Sequence, residues 1–276
     1  MNSMKIQLND GTEMPQLTLG VFRVPSTEVE RVVAEALELG YRSFDTATSY
    51  ENEKGVGRAI NKSGIPREEI YLITKLSNTD HNKNMAPQAI EKSLEELELN
   101  YIDLYLMHWP MAASGLFVDI WRQFETFKSK GLTKSIGASN YRIVDLERIL
   151  NETDTPPAVN QIELHPLFRQ KALQEYASKH GIITQCWGPF GFTKYEMFNE
   201  KVIQEISKAN NATPAQVLLR WYYQHGWPVA GKTSNPEHML SNLNFYNIQL
   251  SDADMEKIDA MNLDQRIGPD PDLVDG

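Results

Sequence analysis

The sequence predicts a single α/β chain folded as a (β/α)8 barrel. Two observations carry this. Short apolar runs alternate eight times with segments whose apolar residues recur at helical spacing. No linker interrupts the series, so its 276 residues read as one large barrel domain, 1–276, rather than as two domains.

The elements follow in order. Lys5-Ile-Gln-Leu8 and Met14-Pro-Gln-Leu17 flank Asn9-Asp-Gly11, a turn signal that predicts an N-terminal β-hairpin. Leu17-Thr-Leu-Gly-Val-Phe22 is the first buried strand. Thr27-x-x-Glu30 has the form of a capping box, opening a helix with Val29, Val32, Val33, Ala36 and Leu37 inward, and Gly40 stops it. Tyr41-Arg-Ser-Phe44 is a short strand, with a helix after it to Gly64. Ile70-Tyr-Leu-Ile-Thr-Lys75 precedes a helix over 86–99, and Ile102-Asp-Leu-Tyr-Leu-Met-His108 precedes one over 117–130.

The second half keeps the pattern. Ser135-Ile-Gly-Ala-Ser139 leads to a helix over 143–150, and Ala158-Val-Asn-Gln-Ile162 to one over 170–180. Ile182-Ile-Thr-Gln-Cys-Trp187 is the seventh strand. Thr213-Pro-Ala-Gln216 is a capping box with proline at the first helical position. Trp227-Pro-Val-Ala230 is the eighth strand, and residues 268–276 form an irregular tail.

Composition narrows the function. A hydrophobic fraction of 41% supports a sizeable core. The balance of 27 basic against 37 acidic residues, net −10, argues against nucleic acid or anionic membrane as partners. An anionic substrate or cofactor therefore needs local positive charge. A single Cys186 excludes an internal disulfide and fits a reducing compartment. The segment Met-Asn-Ser-Met-Lys-Ile carries no basic-then-apolar signal pattern, and no apolar run approaches a membrane span, so the cytosol is the expected location.

Chemistry concentrates at strand ends. Asp45-Thr-Ala-Thr-Ser-Tyr50-Glu-Asn-Glu53 follows one strand; Lys75 and His108 end the next two. An α/β barrel keeps its reactive groups at this end of its strands. Asp, Tyr, Lys and His there form a proton-donor set. Tyrosine, with an ordinary pKa of about 10, is a weak donor that a nearby ammonium improves by favouring the phenolate. That makes Tyr50 the general acid, Lys75 its tuner, Asp45 the partner of the lysine, and His108 the group that orients a carbonyl oxygen. No His-x-His or His-Glu-x-x-His occurs, which argues against a metal-dependent hydrolase and for no metal at the site. Gly55-Val-Gly57 is no dinucleotide fingerprint: Ile60 stands at the third glycine, and the run lies inside a helix.

Asp45-Thr-Ala-x-x-Tyr50-x-Asn-Glu53, Asp103-Leu-Tyr-Leu-x-His108-Trp-Pro and Ser135-Ile-Gly-x-Ser139-Asn140 together resemble the aldo-keto reductase family over nearly the whole chain. Trp187-Gly-Pro and the short loop after Pro110 resemble its bacterial 2,5-diketo-D-gluconic acid reductase branch. The resemblance implies reduction of aldehydes or ketones with NADPH extended along the later barrel loops, in a monomer. It implies that Ser139, Asn140 and Gln161 hold the carboxamide and that Trp187 stacks on the nicotinamide. It puts Gly20, Val21 and Phe22 beside the cofactor and Gly188, Pro189 and Phe190 along its pyrophosphate. Phe192-Thr193 departs from the smaller or polar residues usual in that loop. Lys232, Thr233, Ser234 and His238 match the site of the 2′-phosphate, and Asn242 lies near the adenine.

Relatives usually carry arginine at position 238. Arginine binds phosphate as a charged bidentate fork, which an imidazole cannot reproduce. A weakened preference for NADPH, with some use of NADH, is the expectation. Phe22, Tyr50, His108 and Trp109 are expected around the substrate, with the tail folded over the mouth. No spare arginine is expected there, and small polar carbonyls, sugars or keto acids suit the short loop at 111–117. The rival within the resemblance is a non-catalytic barrel that senses the cofactor.

Overall fold

The computed structural model describes residues 4–191 and 195–274. The departure at Phe192-Thr193, and the end of the tail at Asp275 and Gly276, lie outside the described residues.

A hairpin of β1 (Lys5–Gln7) and β2 (Glu13–Pro15) precedes the barrel. Eight parallel strands then close on themselves: β3 (Leu17–Gly20), β4 (Ser43–Asp45), β5 (Tyr71–Leu76), β6 (Ile102–Met107), β7 (Thr133–Ser139), β8 (Val159–Glu163), β9 (Ile183–Trp187) and β10 (Val229–Lys232), with β10 pairing back to β3. The helices between them are α1 (Val29–Leu39), α2 (Glu53–Lys62), α3 (Ala86–Leu97), α4 (Phe117–Ser129), α5 (Ile143–Glu152) and α6 (Lys171–Lys179). After β9 come α7 (Lys201–Ala209) and α8 (Pro214–Gln224), and after β10 come α9 (Pro236–Leu243) and α10 (Asp252–Asp259). Helices α7 and α10 add to the set read from the sequence.

Strand alternation sorts the core into two compartments. Tyr71 and Ile73 of β5, Leu104 and Leu106 of β6, and Val159 of β8 fill the barrel interior. Leu8 and Met14 of the hairpin region join them and plug the floor. The intervening residues, Leu72, Tyr105, Ile136, Ile162 and Cys186, face outward into the shell made by Val33, Ile90, Trp121 and Leu218 of the helices. Inward phase continued to the strand tops reaches Asp45, Lys75, His108, Ser139, Gln161, Glu163 and Trp187. Apolar layers below and polar groups above are thus one pattern read along the same strands.

Several boundaries shift for physical reasons. The capping box at 27–30 does not form: α1 starts at Val29 with no side-chain cap. The backbone amides of Glu28 and Val29 instead reach the carbonyl of Pro25, at 2.9 and 3.0 Å, so a proline turn takes the place of the cap. The capping box of α8 does form, with Thr213 and Gln216 bonded reciprocally. Strand β4, the second of the barrel, starts later than expected and includes Asp45. The eighth strand of the barrel runs to Lys232, while Trp227 stays outside it, stacked on His225 at 4.1 Å. Gly57 lies in α2, where a Cβ would meet the Leu97 carbonyl oxygen at 2.0 Å. Its role is close approach of α2 to the end of α3.

Candidate active site

The proton-donor set assembles as one cluster. Lys75, 1% exposed, donates from Nζ to Asp45 Oδ1 at 2.5 Å and to the Thr46 carbonyl at 2.8 Å, and lies 3.5 Å from the Tyr50 hydroxyl. The same ammonium sits 5.1 Å from the centroid of the Tyr50 ring. His108 packs edge-on against Tyr50, with ring centroids 5.9 Å apart, and Phe22 covers the other side at 5.0 Å.

The loop that carries Tyr50 is built by its own neighbours. Asn52 accepts from the Thr46 hydroxyl at 2.7 Å and donates to the carbonyls of Val21 and Val24. Glu53 accepts from Thr74 at 2.6 Å and from Ser93 at 3.3 Å, and burial holds its carboxyl above the usual range. The polar residues that follow Tyr50 are therefore structural: they tie the β4–α2 loop to β3, β5 and α3.

Electrostatics correct one expectation. Burial pushes the Tyr50 hydroxyl above its ordinary value of 10.0; the Lys75 charge opposes this but does not reverse it. The proton thus stays on Tyr50 at neutral pH, and the ammonium lowers the cost of the phenolate formed when it leaves. Burial alone would lower Lys75, but Asp45 and Tyr50 outweigh it and hold the ammonium charged. Burial, then the Lys75 charge and His81, drive His108 down to about 3, so it meets a substrate as neutral imidazole. It is a hydrogen-bond partner for a carbonyl oxygen, and not an acid.

A groove of about 960 Å³ runs from this cluster along the later strand ends. Gly20, Phe22, Tyr50, His108 and Trp109 line one end. Ser139, Asn140, Gln161, Trp187, Gly188, Pro189 and Phe190 line its middle, and Lys232 lies at the end of β10. Gln161 donates both amide hydrogens, to Asp45 Oδ2 at 2.7 Å and Gln185 Oε1 at 2.8 Å. That leaves its carbonyl oxygen as an acceptor toward the groove. Asn140, in the left-handed region at φ 64°, donates to Ser139 Oγ and the His108 carbonyl and accepts from Trp187 Nε1 at 2.8 Å. Buried Tyr222 of α8 bonds the carbonyls of Leu164 and Pro189, which fixes the loop after β9 to the end of β8.

Other expected residues lie elsewhere. The side chain of Val21, just past the end of β3, is fully buried in the core and is not part of the groove lining. Thr233 and Ser234 lie on the loop after β10, and Asn235 caps α9 by accepting from the Glu237 amide at 2.8 Å. His238 is exposed on the first turn of that helix, and Asn242 is buried on its inner face. Arg23 corrects the expectation of no spare arginine at the mouth. Arg23 lines the groove with its guanidinium 5.0 Å from the Phe22 centroid. Arg266 belongs to the tail and lies 3.8 Å from Glu163. Sequence reasoning misses Glu163 itself, although it follows Gln161 by two residues on the same inward phase. Among the described residues no group of three His, Cys, Asp or Glu side chains could hold a metal, and no helix is long and apolar enough to cross a membrane.

Comparison with known proteins agrees with this geometry. The Aldo/keto reductase family matches residues 16–263. The methylglyoxal reductase DkgA of Escherichia coli O157:H7 is 41% identical over 275 residues, covering 100% of this chain and 99% of that protein. An aldo-keto reductase of Mycolicibacterium smegmatis is 43% identical over 269 residues, covering 98% and 97%. Among solved structures, a mutant of Gox0644 in complex with NADPH superposes with a TM-score of 0.94 at 41% identity, over 99% of each chain. An aldo/keto reductase from Brucella melitensis gives 0.91 at 41% identity, over 95% of this chain and 98% of that one. With its donor cluster at the top of a closed eight-stranded barrel, the chain belongs to the aldo/keto reductase family and is an oxidoreductase acting on carbonyl groups.

Proposed function

We propose that the chain reduces small polar aldehydes and ketones to alcohols, with NADPH as the hydride donor and Tyr50 as the proton donor. One observation carries this reading: Lys75 touches both Asp45 and Tyr50, beside a neutral His108, at the end of a groove. The Tyr50 proton passes to the carbonyl oxygen, and the ammonium of Lys75 stabilises the phenolate left behind. Asp45 and the Thr46 carbonyl hold that ammonium in place. His108 hydrogen-bonds the same oxygen, and Phe22 and Trp109 bound the space.

The groove fits a nicotinamide dinucleotide. An unpartnered Gln161 oxygen and the interlocked Ser139 and Asn140 suit a carboxamide, and the half-buried Trp187 suits a flat ring. Lys232, Thr233 and Ser234, before the N-terminus of α9, suit a phosphate, with Asn242 nearby. When bound, NADPH supplies the hydride. With His238 in place of the usual arginine, we expect a modest preference for NADPH and measurable use of NADH.

Methylglyoxal and sugar-derived keto acids such as 2,5-diketogluconate are the proposed substrates. Relatives named for methylglyoxal reduction support the first; Arg23 at the mouth supports an anionic group in the second. The reading includes one barrel domain over 1–276, a monomer, and a cytosolic location suited to the buried free Cys186. The experiment is steady-state oxidation of NADPH, and separately of NADH, with each carbonyl, in the parent and in Tyr50→Phe. Turnover that Tyr50→Phe abolishes supports an enzyme. Tight NADPH binding with no turnover by the parent would favour the cofactor-sensing alternative.

A further inference from the structure

Glu163, fully buried at the end of β8, lies opposite Trp187 in the β8–β9 register. Its carboxylate has no part in the proton transfer, yet four groups converge on it. Oε1 accepts from the Ile267 amide at 2.6 Å and lies 3.0 Å from His165 Nε2. Oε2 accepts from the Gly268 amide at 3.0 Å, with Arg266 Nη1 at 3.8 Å. Two successive backbone amides bound by one buried carboxylate are a firm anchor, because each bond is charge-assisted and shielded from water.

The anchored segment touches the groove. A Cβ on Gly268 would lie 2.5 Å from Trp187 Cη2 and 3.0 Å from Cζ3, so the tail backbone is pressed on the indole edge. Those atoms lie across the ring system from Nε1, which bonds Asn140 Oδ1 at 2.8 Å. The indole is thus held at both ends, by Asn140 and by the tail that Glu163 clamps. Pro269, next along the tail, lines the groove.

We propose that Glu163 is a positioning residue for the nicotinamide platform. By fixing Ile267 and Gly268 it sets the plane of Trp187, and so tunes how firmly the nicotinamide end of the cofactor is bound. This rests on the reading that Trp187 faces the nicotinamide. The proton-donor cluster plays no part in it.

Gly268→Ala is the direct probe. The φ of Gly268 lies outside the left-handed region, so alanine strains no backbone angle, and its methyl group presses on Trp187 and on Glu163 Oε2, 2.8 Å away, loading the clamp and the indole together. Glu163→Gln keeps the shape but turns one acceptor oxygen into a donor that faces an amide. Calorimetric titration compares NADPH with adenosine 2′,5′-bisphosphate, which lacks the nicotinamide. The expected result is about tenfold weaker NADPH binding in both variants, the loss of one well-seated ring contact. Binding of the bisphosphate and the pH profile of methylglyoxal reduction should match the parent. A variant that merely failed to fold would lose both ligands, which thermal unfolding alongside identifies; Gly268→Ala then decides. Equal affinity for NADPH in parent and Gly268→Ala would overturn the inference, as would equal weakening of both ligands by a folded variant. Trp187→Ala separates the underlying reading: unchanged NADPH affinity in that variant would show that Trp187 is not the platform at all.

Discussion

The two sides of the groove are built on opposite terms. On the β4–β6 side, Asp45, Lys75 and the Thr46 carbonyl satisfy one another in the dry interior, with Lys75 1% and Asp45 4% exposed. On the β10 side, Lys232 and His238 stand exposed, with no hydrogen bond or ion pair from their side chains among the described residues. The difference follows from what each must do. A proton donor needs a fixed neighbourhood before the substrate arrives, because reorganising charge during the reaction raises the barrier. A phosphate site gains most from charges that have no partner yet. Asp45 ties the dry side to the middle of the groove, since it also accepts from Gln161 of β8 at 2.7 Å.

The sharpest way to break this contrast is to alter the donor side without touching its packing. Tyr50→Phe removes one oxygen and should lower kcat by about 10²- to 10⁴-fold. NADPH affinity should stay unchanged by calorimetry, because the later strand ends carry the cofactor contacts. A matching loss of affinity would mean that the two sides are not separable. In the parent, kcat for reduction should stay level from neutral pH up to the region above 10.0, because Tyr50 is pushed up and remains protonated. It should fall only as the hydroxyl ionises; a fall centred below the ordinary tyrosine value would contradict the burial argument.

Lys75→Met tests the donor side as a structure. It strands the Asp45 carboxylate in a dry site, and breaking a buried pair in this way costs about 3–5 kcal/mol. Urea unfolding at neutral pH reads that loss directly. Adding Asp45→Asn should restore most of the stability but none of the turnover. If Lys75→Met unfolds at the parental midpoint, the pair is not as buried as its exposure indicates.

Much of this contrast is legible in the order of residues along the strands. Asp45, Lys75 and His108 stand at strand ends in the inward phase, so their convergence needs no more than a closed barrel. Glu163 carries the same signal, two residues after Gln161, but its partners are backbone amides of the tail more than 100 residues later in the chain, which no local pattern shows. The direction of the Tyr50 shift is hidden for another reason. Proximity to lysine is visible in strand order, whereas the larger effect, desolvation, depends on how deeply the loop is tucked. Thr27 and Glu30 have the right spacing for a cap but lose to the turn at Pro25, since two backbone amides already reach that carbonyl.

Acid should expose the cost of the dry side. Burial brings His81 down to about 4, and burial with the Lys75 charge brings His108 to about 3, from an ordinary 6.5. The unfolded chain takes up these protons near pH 6.5 while the folded chain refuses them, so stability is complete above 6.5 and declines as pH falls toward the folded values. Between pH 7 and 5 each histidine should remove about 2 kcal/mol. His81, with neither ring nitrogen hydrogen-bonded, can be changed without removing a donor from the cluster. Urea midpoints of His81→Asn at the two pH values should show roughly half the parental drop from these two groups. An identical drop would place the acid sensitivity elsewhere.

The smallest effect is expected on the open side, where His238→Arg should sharpen discrimination between cofactors. Position 238 lies on the first turn of α9, exposed, and follows Lys232 and its hydroxyl neighbours. A guanidinium there adds a permanent charge and a two-pronged donor beside the helix N-terminus, and its contribution should be screened because the site faces water. The ratio of kcat/KM for NADPH over NADH should therefore rise by about tenfold at low salt, through KM rather than kcat. The gain should shrink as salt is raised, whereas Tyr50→Phe should be indifferent to salt. If the arginine leaves the ratio unchanged at every ionic strength, then Lys232, Thr233 and Ser234 already saturate the phosphate, and the exposed side is as complete as the buried one.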